Sequence, residues 1–296
     1  MFKSKVFGLD DVKDMKDVRR SDDKMAVKQS VKTRDAALSF WVVIPAYNEA
    51  ATVRDVVVRA RQQCANVIVV DDGSTDDTAR VLAGLDVTLL RNEENVGKAG
   101  SLWRGFQHAL AQGAIGVITL DADGQHAPEE IPAFLKKSLE DPGAFMLGVR
   151  RRDQRKASFW RYGANRVADF WISWAAGRRI DDTQSGFRLY PAGFLRTLHA
   201  PHGKERSFVF ESEVLIETGR RGTPIDTISI GVMTRTGPRP SHFRPVLDIV
   251  KITWMVGGKL LSRGMYPVGL YRVLTGRSLR EASRQRSEES FTTQRQ

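Results

Sequence analysis

The chain has 296 residues, 41% of them hydrophobic and 27% charged, enough apolar content for a packed core, which excludes wholesale disorder. Its single cysteine, Cys64, excludes a disulfide framework and any metal site built on several cysteines. The net charge of +11 lies at the ends: residues 1–35 hold 10 Lys/Arg against 7 Asp/Glu, residues 36–234 hold 24 against 24, and residues 235–296 hold 12 against 4.

Residues 1–35 alternate lysines with aspartates and lack the apolar run of an export signal, so they read as a flexible N-terminal extension. Cys64, beside Ala65 and Val67, reads as a buried bystander, and the setting as reducing and cytoplasmic. No membrane span is expected. The longest uncharged run, 105–120, is broken by Gln107, His108, Gln112 and three glycines, short of the roughly 20 apolar residues required.

In chain order, the β-branched run 40–44 before Pro45 predicts a buried strand. Residues 52–63 carry Val53, Val56, Val57 and Ala60 on one helical face. A second strand, 67–70, stops at Asp71-Asp72-Gly73-Ser74, a loop and helix-start signal. A helix over 75–85, a strand over 87–90, a helix over 97–112 and a strand over 116–120 follow. The loop 121–126, a helix over 128–139 and a strand over 145–149 complete the alternation. This order predicts an α/β fold: a mostly parallel sheet with helices on both faces and ligands outside the carboxyl ends of the strands. Three polar clusters fall at such ends: Tyr47-Asn48-Glu49, Asp71-Asp72 and Asp121-Ala122-Asp123.

Some readings fail. Gly97-Lys98 lacks the phosphate-loop spacing, because position 92 is Asn and position 99 is Ala. Lys98 reads as a surface lysine at a helix start or as a phosphate contact. No Gly-x-Gly-x-x-Gly follows the first strand, which counts against a nicotinamide enzyme. The Asp121-Ala122-Asp123 pair follows a buried-strand sequence, Val117-Ile118-Thr119-Leu120. Its two hard carboxylates suit Mg²⁺ or Mn²⁺; the alternative is two helix-capping aspartates ahead of Pro128.

Three segments, Val43-Ile44-Pro45-Ala46-Tyr47-Asn48-Glu49, Val69-Val70-Asp71-Asp72-Gly73-Ser74-Thr75-Asp76 and Leu120-Asp121-Ala122-Asp123-Gly124-Gln125-His126, resemble the family 2 glycosyltransferases of the GT-A fold. Asp182-Thr183-Gln184-Ser185-Gly186-Phe187-Arg188-Leu189-Tyr190 and Phe208-Val209-Phe210-Glu211-Ser212-Glu213 resemble its polyprenyl-phosphate sugar synthase branch, which includes dolichol-phosphate-mannose synthase. The resemblance spans about residues 38–235. It implies a nucleotide-sugar pocket of Pro45, Tyr47, Glu49, Val70, Asp72, Asp121, Ala122 and Arg150. Asp72 would bond the base or sugar hydroxyls and Arg150 the phosphates. Asp121, Asp123 and Gln125 would surround the metal. Asp123, Asp182, Arg188 and Glu213 carry the implied catalytic roles, with Asp182 or Glu213 as the base for a hydroxyl acceptor; for Arg188 a structural salt bridge is the alternative.

The segment 156–179 mixes Phe159, Trp160, Tyr162, Phe170, Trp171 and Trp174 with Arg161, Arg166, Arg178 and Arg179. It suits a bilayer interface or lipid-acceptor groove, or a core helix with a basic outer face. Residues 241–276 read as short amphipathic helices on an anionic membrane surface, with simple packing as the alternative, and 277–296 as a basic disordered tail. Many relatives in this branch carry transmembrane helices after the catalytic domain; none is expected here. Their basic loop often ends in Ser-Lys, where this chain has Arg235 and then Ser241-His242-Phe243-Arg244, with His242 or Arg244 in the lysine's place.

The expectation is a GT-A domain over 36–240, an inverting, metal-assisted transferase with a GDP- or UDP-sugar donor, peripheral on the inner face of the cytoplasmic membrane. The acceptor is a polyprenyl phosphate or another membrane-associated molecule; a glycan or small-molecule hydroxyl, or non-catalytic nucleotide-sugar binding, are the alternatives. Nucleic acid is disfavoured, since three acidic loops at one cleft would repel its phosphates.

Overall fold

The computed structural model describes residues 39–150, 159–204, 209–231, 233 and 245–276. The expected N-terminal extension, the basic tail, and Arg235 with Ser241, His242 and Arg244 lie outside the described residues, as do the side chains of Phe159, Trp160, Arg161 and Tyr162.

Among the described residues one sheet has seven strands: β1 (Phe40–Ala46), β2 (Asn66–Asp71), β3 (Thr88–Arg91), β4 (Gly116–Thr119), β5 (Phe145–Arg150), β6 (Arg188–Pro191) and β7 (Ile225–Ile230). Their order is β3-β2-β1-β4-β6-β5-β7. Only β6 runs antiparallel, to both β4 and β5; the other pairings are parallel. The helices are α1 (Val53–Gln63), α2 (Gly97–Ala111), α3 (Ile131–Glu140), α4 (Phe159–Ala176), α5 (Ala192–Thr197), α6 (Val209–Arg220), α7 (Pro245–Leu261) and α8 (Pro267–Thr275).

The near-continuous apolar runs of the central strands are buried on both faces because helices cover both. Successive residues of β1 alternate between them. Val42 and Ile44 pack with Val53, Val56 and Val57 of α1 and with Ile131 and Phe134 of α3. Val43 packs with Leu102 and Phe106 of α2 on the opposite side.

The expected helix over 75–85 is replaced by a single 3₁₀ turn, Arg80–Leu82. Side chains take the amides that would have started it. Thr75 N and Asp76 N donate to Asn48 Oδ1 at 2.8 and 3.3 Å, and Thr78 N donates to Asp76 Oδ1 at 2.9 Å. Short polar side chains compete with helix propagation in this way. The helix expected over 128–139 begins instead with a 3₁₀ turn, Pro128–Glu130, before α3.

The C-terminal helices pack on the domain. Ile252, Met255, Val256 and Leu260 of α7 join the core cluster that holds Leu215 of α6 and Ile172 and Trp174 of α4. The Trp174 indole donates to Tyr266 O at 3.1 Å, tying α4 to the turn between α7 and α8. The outer faces stay apolar: Trp254 is 79% exposed, Leu261 70% and Leu274 69%, and Phe170 and Trp171 of α4 are also exposed. The packing expected as the alternative for residues 241–276 holds for the inner faces of α7 and α8. No helix among the described residues is long and apolar enough to cross a membrane.

Candidate active site

The strand order creates a crevice. β1 pairs with β4 as far as Val43 opposite Thr119, then continues beside β2 to Ala46 while the chain leaves β4 at Asp121. The connections on the two sides of this pair wind in opposite directions, so the loops after β1 and β4 diverge and leave space between them.

The loops after β1 and β2 are laced together. Asn48, in the left-handed region at φ 54°, donates from its backbone to Ser74 Oγ at 2.9 Å, and Glu49 N donates to Thr78 Oγ1 at 2.8 Å. Glu49 is buried, and its Oε2 accepts the Thr52 hydroxyl at 3.1 Å. Pro45 and Tyr47 are half-buried beside it. Val70, by contrast, has no exposed surface, and its side chain belongs to the core.

Asp72 meets the start of α2. Its carboxylate accepts Asn92 Nδ2 at 2.8 Å, Val96 N at 2.9 Å and Gly97 N at 2.9 Å. An anion is stabilised there by unpaired amides and the helix dipole. Gly73 permits this turn: its φ is 70°, and a Cβ would lie 2.6 Å from the Glu94 carbonyl carbon.

The same helix end reaches Asp121. Lys98, the second residue of α2, places Nζ 2.6 Å from Asp121 Oδ1 and 3.0 Å from Glu211 Oε2. It is therefore neither the expected surface lysine nor one turned to solvent. Burial alone would push the Asp121 carboxyl up, but Lys98, with His126 and Arg150 beyond it, holds it down at about 2. Burial would likewise lower the Lys98 ammonium, and the two carboxylates more than offset it, leaving Lys98 firmly protonated. His126 is buried; desolvation pushes its imidazole below the ordinary range, and its Nδ1 accepts Asp121 N at 3.4 Å. Gly186 closes the back of the site: a Cβ there would stand 2.7 Å from Asp121 Oδ2. Asp123 accepts Gln125 N at 3.0 Å and Gln125 Nε2 at 2.6 Å, while Ala122 is buried between the two aspartates.

On the other side, Arg150 and Asp182 hold each other. Arg150 donates through N and Nε to Asp182 Oδ2, both at 2.9 Å, and through Nη2 to Oδ1 at 2.7 Å. Asp182, at φ 51°, is almost fully buried. Arg188 has no exposed surface and donates to the carbonyls of Ser185, Glu211 and Thr183 at 2.7, 2.6 and 2.9 Å. Backbone carbonyls thus take the place of the salt bridge expected as its alternative. Glu213 pairs through Oε1 with Lys259 of α7 at 2.8 Å. Beside the Arg150–Asp182 pair, a cavity of about 430 Å³ opens between the end of β5, α4 and α8, lined by Arg166, Phe170, Arg179 and Leu274 among others.

Asp121 and Asp123 suit a divalent cation. Among the described residues no group of three His, Cys, Asp or Glu side chains converges as a self-sufficient metal cage. Two carboxylates, one of them held ionised well below neutral pH, are nevertheless the usual protein share for Mg²⁺ or Mn²⁺ that completes its shell with substrate phosphate and water. The donor set fits the ion.

Of the residues expected in the site, Asp72 and Asp121 both meet the start of α2, Asp123 holds Gln125, and Arg150 pairs with Asp182. Sequence reasoning missed the Lys98–Glu211 contact, made across 113 positions. The two acids of Phe208–Glu213 were the available signal, but nothing local shows that Glu211 faces Lys98 while Glu213 faces Lys259.

Residues 41–198, more than half of the chain, match the family described as Glycosyl transferase family 2. The chain is 28% identical over 179 residues to a UDP-N-acetylglucosamine–dolichyl-phosphate N-acetylglucosaminyltransferase of Methanococcus voltae, covering 53% of this chain and 71% of that one. It is 32% identical over 161 residues to an undecaprenyl-phosphate 4-deoxy-4-formamido-L-arabinose transferase of Klebsiella pneumoniae, covering 50% of this chain and 47% of the relative, so it spans about half that relative's length. Among solved structures, glucosyl-3-phosphoglycerate synthase from Mycobacterium tuberculosis, in complex with Mn²⁺, UDP-glucose and phosphoglyceric acid, shares the fold with a TM-score of 0.58 and 24% identity, covering 76% of this chain and 79% of that one. By these matches the chain belongs to glycosyl transferase family 2 and is a glycosyltransferase of the GT-A fold.

Proposed function

We propose that the enzyme is an inverting transferase that moves a sugar from a UDP- or GDP-sugar to a polyprenyl phosphate or another membrane-associated acceptor, assisted by Mg²⁺ or Mn²⁺. The observation that carries this reading is the convergence of Asp72 and Asp121 on one helix end, with Arg150 across from them. The named transferases of Methanococcus and Klebsiella, which use dolichyl and undecaprenyl phosphate, support the acceptor class.

The donor's base and ribose lie against Pro45, Tyr47, Glu49 and the Asp72 loop, and its diphosphate lies over Asp121, Ala122 and Asp123. Asp121 and Asp123 would hold the cation, with Gln125, whose Nε2 donates to Asp123 at 2.6 Å, beside them. When bound, the ion neutralises charge that develops on the leaving diphosphate. Arg150 does the same from the other side. Asp182 takes its Nε and one Nη2 hydrogen and fixes the plane of the guanidinium, which has further N–H donors for a phosphate oxygen. Arg188 is a positioning residue that holds the 183–185 loop against the start of α6.

The acceptor follows from what the carboxylates are doing. An attacking sugar hydroxyl needs a base to take its proton. Asp182 is committed to three hydrogen bonds from Arg150, and Glu213 is paired with Lys259. A lipid-phosphate oxygen is already ionised near neutral pH and needs no such base. The cavity beside Arg150, with Arg166 and Arg179 on its walls, suits that phosphate. The exposed apolar faces of α7 and α8 and the basic composition of residues 235–296 support attachment to an anionic membrane surface, on its cytoplasmic side. Transfer of labelled sugar from UDP- and GDP-sugars with Mn²⁺, offered polyprenyl phosphate in anionic vesicles or soluble glycans, tests the reading. Label should enter the lipid fraction; label appearing only in soluble glycans contradicts it.

A further inference from the structure

Lys98 stands where a metal ligand's own partner should be. Its Nζ lies 2.6 Å from Asp121 Oδ1 and 3.0 Å from Glu211 Oε2, and the lysine side chain is 22% exposed. A divalent cation on an Asp121 oxygen sits roughly 2.1 Å from it. An ammonium already bonded to that carboxylate competes for the same lone pairs and repels the ion. The cation and Lys98 therefore weaken each other's hold on Asp121.

The site contains a place for Lys98 to go. Glu211 Oε1 is buried and accepts no hydrogen bond, although Oε2 of the same carboxylate already holds the ammonium. The backbone of Glu211 is anchored by Arg188 Nη1 at 2.6 Å, so this second acceptor does not drift when Asp121 is vacated. Resting on the metal reading of Asp121, we infer that Lys98 is the resident counter-ion of the donor site: it holds Asp121 in place before the donor arrives and withdraws onto Glu211 when the metal–diphosphate enters. The cation alone binds weakly, because it must expel Lys98; accompanied by a diphosphate it binds well, because the added negative charge outweighs the lysine.

Titration of the full chain with Mn²⁺ alone, followed by the electron paramagnetic resonance of free Mn²⁺, tests this. Lys98→Gln should bind Mn²⁺ about tenfold more tightly than wild type or better, since a like charge and a competitor leave together. Lys98→Arg, which keeps the charge, should stay near wild type. Glu211→Gln should weaken Mn²⁺ binding, because the carboxylate that receives the withdrawn ammonium has lost its charge, and this effect should vanish in the Lys98→Gln background. Equal or weaker binding by a folded Lys98→Gln protein overturns the inference. So does unchanged binding by Glu211→Gln, which decides the matter if Lys98→Gln fails to fold. Adding Asp121→Asn separates the two levels: a tight Mn²⁺ site in Lys98→Gln that survives it would place the ion elsewhere and overturn the metal reading itself.

Discussion

The loops after β1, β2 and β4, proposed to hold the donor, and the cavity beside Arg150, proposed to take the acceptor, are built differently. The proposed donor half is fixed by short bonds between backbone amides and Asn48, Thr78, Asp72 and Asp123. The proposed acceptor half is an open cavity between the end of β5, α4 and α8, where Arg150, Arg166 and Arg179 stand among Asp169, Asp181 and Asp182 beside Phe170, bordered by apolar faces that remain exposed. Preorganised dipoles suit a rigid, highly charged diphosphate. A flexible lipid chain needs area and access, which an open helical surface supplies.

Mutations should separate the halves. The largest effect belongs to the donor side. Asp123→Ala should abolish transfer, a loss on the order of 10³-fold in kcat or more, together with Mn²⁺-dependent nucleotide binding. Next comes the border between them. Asp182→Asn replaces one of the two oxygens that accept from the Arg150 guanidinium with an NH2 donor and removes the charge, and transfer should fall about 10²-fold through misplacement of the guanidinium. Nucleotide binding without acceptor should change far less, because the guanidinium acts mainly on charge that develops during transfer; an equal loss in both would mean that it serves donor binding alone.

On the acceptor side the two faces of α7 should part company. Leu260→Ala, at a residue 1% exposed, should cost about 2–5 kcal/mol of stability in a thermal or urea melt. Trp254→Ser, at a residue 79% exposed, should change stability by less than about 0.5 kcal/mol and weaken binding to anionic vesicles about tenfold. Vesicle binding that is indifferent to Trp254 would sink the membrane-facing assignment. Truncation before α7 is a poor test of the same idea, because it removes Ile252, Met255, Val256 and Leu260 from the core along with the outer face.

The same contrast explains what could be read from the sequence. The donor loops are local: each polar cluster follows its own strand, so Glu49, Asp72 and Asp121 could be placed from apolar runs and the residues that end them. The helix over 75–85 was misread because its pattern is helical while Asn48 and Asp76 take its first amides. β6 is four residues long and fully buried, and it follows the polar run 182–185, which masks the strand pattern. Lys98 with Glu211 and Glu213 with Lys259 depend on how α2, α6 and α7 pack. The amphipathic pattern of 245–275 is the same whether one face meets protein or lipid; the fold shows that one meets protein.

The central claim is that Asp121 and Asp123 form a metal-dependent site for a sugar-nucleotide diphosphate. Calorimetric titration with a panel of UDP- and GDP-sugars, with Mn²⁺ and with a chelator, tests it most directly. The account predicts that one nucleotide class binds with Mn²⁺, and that chelation or Asp123→Ala removes that binding. Binding of equal strength in chelator and in Asp123→Ala, or no binding by any sugar nucleotide, would contradict it.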